Sequence, residues 1–490
     1  MNSLHSPLYT SAQIRLLEQC AIEECALSSL SLMQRAGQAV FSAMSVRWPS
    51  VRRITVLVGA GNNAGDGYVI AKLALQAAYQ VQVISLSDPE HLSGDALTCF
   101  KSYQQSGGQI LIGDADFDSD TDLIVDALFG IGLNRPLSEN HQGLIAKANQ
   151  IDVPRVAVDI PSGLVADTGA VVSETVFNAD LTVTFIAGKP GLYTGDAVNY
   201  TGEIEIADLG LPDDFLAKTK ANYYRLNKLP VPPRPRNAHK GHFGHVLLVG
   251  GNHGYSGAIR LAAEAALRSG AGLVSVATRA SHSHVLATTR PEIMSHAVEA
   301  TDQLLPLLDK ASVVIVGPGL GQDAWAQDLL SHIATLNKPC VWDADALNWL
   351  ADHPCKINKG IATPHPGEAA RLLKCSTADI ARNRFAAVQA LQSTYGGVWV
   401  LKGAGSLITD GHSVGVSTTG NPGMASGGMG DVLAGICGSL LAQAYSLFEA
   451  SQLAVYIHGE AADRCAAQAG ERGMLASDLI VKLPQCLNNF

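Results

Sequence analysis

The nine cysteines include no C-x-x-C pair and no regular spacing, which excludes a zinc ribbon, a disulfide framework and a thioredoxin-type pair, and leaves thiols of a reducing compartment. No apolar run reaches membrane-spanning length. The opening stretch, MNSLHSPLYTSAQIRLLEQC, lacks a basic start followed by an apolar core, so the cytoplasm is the expected compartment. Basic charge is not in excess either: the formal net charge is −10, which argues against nucleic acid or an anionic membrane as partner. Charged residues are sparse at 16%, against 47% apolar and 48 glycines, a balance that suits parallel α/β domains rather than disorder or coiled coil. At 490 residues the chain is too long for one core and divides into two or three domains.

The first half opens with helical periodicity. Thr10 and Ser11 are plausible caps, and apolar residues recur at Ile14, Leu17 and Ile22, then at Leu32, Ala36 and Val40. From Ile54 the period changes to that of a strand (Ile54 to Val58), followed by the glycine loop Gly59 to Gly67 (GAGNNAGDG), a helix over Tyr68 to Ala78 and a strand over Val81 to Ile84. Strand, glycine loop and helix make an anion-holding unit. The spacing G-x-G-x-x-x-G and the absence of an acidic residue closing the next strand disfavour a conventional NAD dehydrogenase. Further strands end in polar groups: Leu123 to Val125 leads to Asp126, Val156 to Val158 to Asp159, and Leu181 to Phe185 to Lys189. In an open parallel sheet those ends line one crevice.

Periodicity fades after Leu209, and Leu229 to Lys240 (LPVPPRPRNAHK) is proline-rich and basic, as an interdomain linker would be. Beyond it the pattern resumes with a strand over His245 to Val249, the glycine loop Gly250 to Ala258 and a helix over Ile259 to Ser269. Later strands lead to Gly317 to Gly321, to Asp343 and Asp345, to Thr363 to Glu368 (TPHPGE) and to Lys402 to Ser406 (KGAGS), and a hairpin turns at Asp410-Gly411. The strongest chemical signal is Ser417 to Gly435, STTGNPGMASGGMGDVLAG, a glycine-crowded loop entering an apolar helix with Asp431 at the join. Loop amides and a helix N-terminus hold phosphate, and an aspartate there can take a proton from an attacking hydroxyl. The bland alternative is a glycine-rich turn capped by aspartate.

With GNNAGDG, VDALFGIGLNRP and VDIPSG in that order, roughly the first 215 residues resemble the epimerase domain of the NAD(P)H-hydrate repair enzymes. The resemblance implies a Rossmann-like three-layer α/β/α fold. It also implies a damaged-cofactor site made by Asn62, Asn63, Ala64, Gly65 and Asp66, by Gly130, Ile131, Gly132, Leu133, Asn134, Arg135 and Pro136, and by the catalytic, substrate-contacting Asp159. Asn63, Asp126 and Ser162 would hold K⁺. Ala64 stands where the family commonly has glycine. Residues 241–490, through GPGLG, TPHPGE, KGAGS and NPGMASGGMGDVLAG, resemble the ADP-dependent NAD(P)H-hydrate dehydratases of the ribokinase-like α/β fold. That resemblance assigns ADP to Lys402, Gly403, Ala404, Gly405, Ser406 and Gly430, and the hydrate to Ala258, Gly319, His365 and Asp431, with Asp431 as catalytic base.

Taken together the resemblances imply an epimerase domain over 1–222, a linker over 223–240 and a dehydratase domain over 241–490. Mg²⁺ joins ADP in the second site. His365-Pro-Gly-Glu368 replaces the Asn-x-x-Glu of many ribokinase-like relatives, which puts magnesium binding by Glu368 in question. The implied substrates are NADHX, NADPHX and ADP, with no nucleic acid and no membrane as partner, and the chain is expected to be a homo-oligomer. Two other readings stay open: a vitamin-type kinase in the second half, and a first half that only binds or senses a nucleotide.

Overall fold

The computed structural model describes residues 5–25, 27–212, 214–228 and 230–488. The chain forms two compact units, one of Pro7–Tyr223 and one of Tyr224–Phe490 together with Met1–Ser6. Strand β1 (His5–Leu8) heads the strand order of the larger sheet.

In the N-terminal unit, α1 (Ser11–Glu24) and α2 (Ser29–Arg47) precede β2 (Arg53–Val58), α3 (Asn62–Gln76) and β3 (Gln80–Ser85). There follow α4 (Gly94–Gln105), β4 (Ile110–Ile112), β5 (Leu123–Ala127), α5 (Glu139–Gln150), β6 (Arg155–Val158), β7 (Leu181–Phe185) and β8 (Glu203–Ala207). Thr10 caps α1 in a reciprocal box with Gln13. The strands are parallel in the order β4-β3-β2-β5-β6-β7-β8. Their centres are buried on both faces, which is why Val56, Leu57 and Val58 read as an unbroken apolar run. Leu57, Ile84, Ile124 and Ala157 share one face of the sheet and pack with Leu144 and Ile145 of α5. The glycine loop is shorter than the sequence suggested: Asn62 to Gly67 already belong to α3, because Gly61 serves as N-cap and none of these residues takes a positive φ.

The expected linker loses its first four residues to β9 (Tyr223–Leu226), a strand headed by two β-prone tyrosines, and the C-terminal unit takes over at Tyr224; Leu229 lies outside the described residues. Next come β10 (His245–Val249), α6 (Ser256–Arg268), β11 (Leu273–Thr278), α7 (Ala280–Thr289), β12 (Met294–Ala297), α8 (Thr301–Lys310) and β13 (Val313–Val316). Then follow α9 (Ala324–Ile333), β14 (Cys340–Trp342), α10 (Asp345–Asp352), β15 (Gly360–Ala362), α11 (Pro366–Leu373), α12 (Thr377–Arg382) and α13 (Arg384–Tyr395). The chain closes with β16 (Val398–Leu401), β17 (Leu407–Thr409), β18 (Val414–Val416), α14 (Met429–Ala442), α15 (Leu447–Ala469) and α16 (Ala476–Leu487). Seven strands, β16-β15-β14-β13-β10-β11-β12, are parallel, and the hairpin β17-β18 adds to β16 antiparallel. Apolar α14 is buried almost throughout and packs so tightly on α6 that a Cβ on Gly435 would sit 2.2 Å from the Ala262 carbonyl. Among the described residues no helix is long and apolar enough to cross a membrane.

Candidate active sites

Strand order reverses between β2 and β5 in the smaller sheet, so the loops leaving these strands part and open a crevice at the carboxyl edge. The loops touch at their base: a Cβ on Gly59 would lie 2.1 Å from the Leu128 carbonyl. Gly65 likewise admits the Met33 sulfur, 2.3 Å from where its Cβ would be. Two of the motif's glycines therefore serve close packing, which explains why their spacing departs from a pyrophosphate fingerprint.

Asn63, on the first turn of α3, donates from Nδ2 to the Val158 carbonyl at 3.3 Å, and its Oδ1 lies 3.3 Å from a Cβ built on Gly130. Asp126 is fully buried and accepts three hydrogen bonds, from Ser162 N at 2.8 Å, Ser162 Oγ at 2.7 Å and Leu128 N at 3.1 Å. Burial pushes its carboxyl up to about 6, with the hydrogen bonds from Ser162 and Leu128 opposing the rise. Ser162 Oγ also accepts from Phe129 N at 3.1 Å, so the ends of β5 and β6 are laced together.

Asp159 has φ +68, a left-handed conformation that costs an aspartate on the order of 1 kcal/mol and is held here by its bonds. Its Oδ1 accepts from Lys189 Nζ at 2.6 Å, Thr184 Oγ1 at 3.0 Å and Phe185 N at 3.3 Å. Asp66, buried on α3, is raised well above the usual carboxylate range by burial and by the charges of Asp159 and Glu18.

The other expected positions divide. Asn62, Gly132, Asn134, Arg135 and Pro136 are exposed and Ile131 half-buried, whereas Ala64 is wholly buried and Leu133 packs into the apolar cluster with Leu128, Leu137 and Leu144. The side chains of Ala64 and Leu133 are therefore committed to packing.

In the larger sheet the order reverses between β10 and β13. Gly319 after β13, at φ +58, lies against the segment after β10: its Cβ would be 2.7 Å from the Tyr255 carbonyl and 3.2 Å from Ala258 Cβ. Ala258 and Gly319 are thus neighbours. On the adjoining strand ends, Asp343 accepts on Oδ1 from Lys402 Nζ at 2.9 Å and Thr363 Oγ1 at 2.7 Å. A Cβ on Gly430 would lie 3.1 Å from Lys402 Nζ and 3.6 Å from Asp343 Oδ2, which brings the first turn of α14 onto this pair.

Asp431, half-buried in that turn, is pushed up to about 7 by burial and then by Asp343, with Lys402 opposing and Asp345 adding. Burial lowers the Lys402 ammonium, but Asp343, Glu368 and Asp431 outweigh it and raise the group. Glu368 is likewise pushed up to about 7, chiefly by burial, with Lys402 opposing.

His365 caps α11. Its Nδ1 accepts from Gly367 N at 3.0 Å and Glu368 N at 3.3 Å, and Glu368 Oε2 returns to His365 N at 2.7 Å. Glu368 is thereby engaged as a capping partner, with Lys402 Nζ 3.9 Å away. The KGAGS turn follows β16: Gly403 takes φ +137 above the buried Arg384 guanidinium, whose Nη2 donates at 3.3 Å to the Leu401 and Lys402 carbonyls. Ser406 Oγ closes the turn on the Gly403 carbonyl at 3.0 Å, while Ala404 is exposed and Gly405 half-buried. Asp463 of α15 pins the approach to α14 through Gly420 N and Asn421 Nδ2, both at 2.9 Å.

Sequence reasoning named Lys189 and Asp343 only as strand-end groups and passed over Arg384. A strand-end position was signal enough for the first two. Arg384 sits on an ordinary helix, and only the fold brings it beneath the KGAGS turn.

Two parallel α/β units, each with carboxylates and glycine turns gathered where its strand order reverses, define an enzyme built to handle nucleotide-like substrates. A family described as NAD(P)H-hydrate dehydratase matches residues 246–485, and one described as YjeF-related protein N-terminus matches residues 29–191. The bifunctional NAD(P)H-hydrate repair enzyme of Coxiella burnetii is 46% identical over 486 residues, covering 98% of this chain and 99% of its own. That of Escherichia coli is 44% identical over 491 residues, covering 99% and 95%. A solved ADP/ATP-dependent NAD(P)H-hydrate dehydratase from Bacillus subtilis, co-crystallised with ATP and Mg²⁺, is 28% identical, with coverage of 53% and 94% and a TM-score of 0.48. The chain belongs to the family of bifunctional NAD(P)H-hydrate repair enzymes, which join an epimerase domain to a dehydratase domain.

Proposed function

We propose that the N-terminal unit interconverts the (6R) and (6S) forms of NADHX and NADPHX, and that the C-terminal unit returns the S form to NADH or NADPH with ADP as phosphoryl donor, releasing AMP and phosphate. The observation that carries this reading is the meeting of Asp431, Lys402 and Asp343 beside Gly430 at the start of an apolar helix. Hydroxide is a poor leaving group and phosphate a good one. Asp431, poised near neutrality, takes the proton from the C6 hydroxyl as the oxygen attacks the terminal phosphoryl of ADP. Backbone amides of Gly403 to Ser406 and of Gly430, with the positive end of α14, hold the phosphates, and Lys402 offsets their charge. Loss of phosphate together with the C5 proton then restores the ring double bond. Ala258, Gly319 and His365 border the hydrate.

Mg²⁺ accompanies the nucleotide. Asp343, whose Oδ2 faces Gly430, is the carboxylate placed to meet it, whereas Glu368 is engaged as a cap. In the N-terminal unit Asn63, Asp126 and Ser162 would hold K⁺. Amide, carboxylate and hydroxyl oxygens suit a hard cation, Ser162 Oγ lies 2.7 Å from Asp126 Oδ1, and Asp126 is buried with no cationic partner among the described residues. Bound there, the ion would supply a fixed positive charge.

The test is to incubate the chain with a mixture of (6R) and (6S) hydrates and resolve both by chromatography. Interconversion without nucleotide, and complete conversion to NADH with stoichiometric AMP once ADP and Mg²⁺ are added, are the expected results. Accumulation of a phosphorylated product without NADH would indicate a kinase instead.

A further inference from the structure

Ala258 and Gly319, the two small residues that border the hydrate, stand on segments that leave different strands, β10 and β13, so their spacing depends on how those segments are joined. Glycines let the backbones meet: a Cβ on Gly250 would lie 2.2 Å from the Pro318 carbonyl, and Gly251 N donates to that carbonyl at 3.1 Å. Asn252 N then donates to the Gly319 carbonyl at 2.7 Å, and the Asn252 carbonyl accepts from Tyr255 N at 2.8 Å.

The buried Asn252 side chain spends all of its hydrogen-bonding capacity across this junction. Nδ2 donates to the Leu320 carbonyl and to Asp323 Oδ2, both at 3.0 Å, and Oδ1 accepts from His253 N and Arg279 Nε, both at 2.9 Å. Arg279 is itself fixed: Nη1 donates to Glu299 at 2.8 Å, Nη2 to Asp323 at 3.0 Å, and the guanidinium lies 4.2 Å from the centre of the Trp325 ring.

The junction extends to the strand end that carries the carboxylates through one peptide plane. A trans peptide directs its C=O and N–H oppositely. With the Leu320 carbonyl held by Asn252, the Gly321 N–H of the same peptide turns the other way, onto Asp345 Oδ2 at 2.8 Å. Asp345 opens α10, two residues after Asp343. Gly321 takes φ +76, and a Cβ there would lie 2.9 Å from Asn252 Nδ2. What the junction holds is not all buried. Tyr255, whose Cβ lies 2.7 Å from a Cβ built on Gly319, is 60% exposed, and no other Phe, Tyr or Trp among the described residues is exposed. The tie thus sets an aromatic beside two small residues at the open carboxyl edge of the sheet, where ligands of such folds bind.

We propose that Asn252 is the positioning residue for the hydrate, fixing Tyr255, Ala258 and Gly319 against the strand end that carries Asp343 and Asp345; the assignment rests on the dehydratase reading of this unit. Asn252 acts through the two segments rather than on the reacting atoms. Its loss therefore shows in hydrate binding and spares the turn Lys402–Ser406, which follows β16.

The experiment uses the full chain and pure (6S) hydrate, with initial rates measured against hydrate at saturating ADP and Mg²⁺, and against ADP at saturating hydrate. Asn252→Asp keeps the acceptor for His253 and Arg279 but sets an oxygen against the Leu320 carbonyl and Asp323. The KM for hydrate should rise about 10- to 100-fold, with the KM for ADP within roughly 2-fold of wild type and epimerisation of (6R) hydrate unchanged. Adding Asp323→Asn reverses the polarity of the bond between the two side chains and should recover part of the hydrate KM, which a loss of packing would not. Where Asn252→Asp does not fold, Arg279→Lys serves: its single ammonium cannot reach Asn252, Glu299 and Asp323 together, and the hydrate KM should rise in the same direction by a smaller factor. An unchanged hydrate KM, a rise in both KM values together, or no recovery in the double variant would overturn the proposal. A wild type that leaves (6S) hydrate unconsumed with ADP and Mg²⁺ would instead remove the dehydratase reading itself.

Discussion

Replacing Asp431 with asparagine should make the chain more stable and nearly inactive as a dehydratase. The Asp431 carboxyl is pushed up to about 7, first by burial and then by Asp343, whereas in the unfolded chain it titrates near 3.9. Between those values unfolding releases a proton, so stability falls as pH rises from about 4 to about 7 and levels off above. Asparagine carries no such cost. From pH 5.5 to pH 8.0 the wild type crosses about one and a half further units of unfavourable ionisation, at ~1.4 kcal/mol each, so the variant's advantage should widen by about 2 kcal/mol. The lost attraction between Asp431 and the α14 dipole, about 0.3–1 kcal/mol, is too small to reverse that. Thermal unfolding of both proteins at the two pH values should show the melting-temperature difference growing by roughly 4–8 °C. Over the same pH span wild-type dehydration should rise as Asp431 ionises, while the variant stays about 10²–10⁴-fold slower and epimerisation is unaffected. A melting-temperature difference independent of pH, or dehydration near the wild-type rate, would refute the placement of this charge and its role as base.

Two other substitutions probe the remaining sites. Wild type should melt at a higher temperature in KCl than in choline chloride of equal ionic strength, with the gain growing as pH rises through about 6, because Asp126 must ionise to hold the cation; Asp126→Asn should abolish both the gain and epimerisation, and a gain that survives would put the ion elsewhere. Gly403→Val places a Cβ 2.9 Å from Arg384 Nη1 at φ +137. That is a strain of about 1–3 kcal/mol, so the KM for ADP should rise roughly 5- to 100-fold in initial-rate assays with epimerisation unchanged, whereas an unaltered KM would move the nucleotide off this turn.

Strand and loop alternation, the apolar strand runs and the carboxylates that end them are local features, and each was legible without the fold. Asp126, Asp159 and Asp343 stand out because each closes an apolar strand run, and Asp431 because it stands where a glycine-crowded loop enters an apolar helix. The division of the 223–240 stretch was not legible, since whether Tyr223–Leu226 is linker or strand depends on a sheet edge assembled from distant parts of the chain. Nor was the packing role of Gly59 and Gly65, which is set by Leu128 and Met33 pressing against them.

By itself the sequence determined the fold class, the two-part organisation and the chemistry available at each sheet edge, because these follow from periodicity and from what closes each strand. Only the tertiary structure decided which charges meet. Lys189 binds Asp159 across 30 residues and Lys402 binds Asp343 across 59. Proton affinity in these crevices depends on burial and on the neighbouring charges, and both are properties of the packed chain that no local stretch of residues carries.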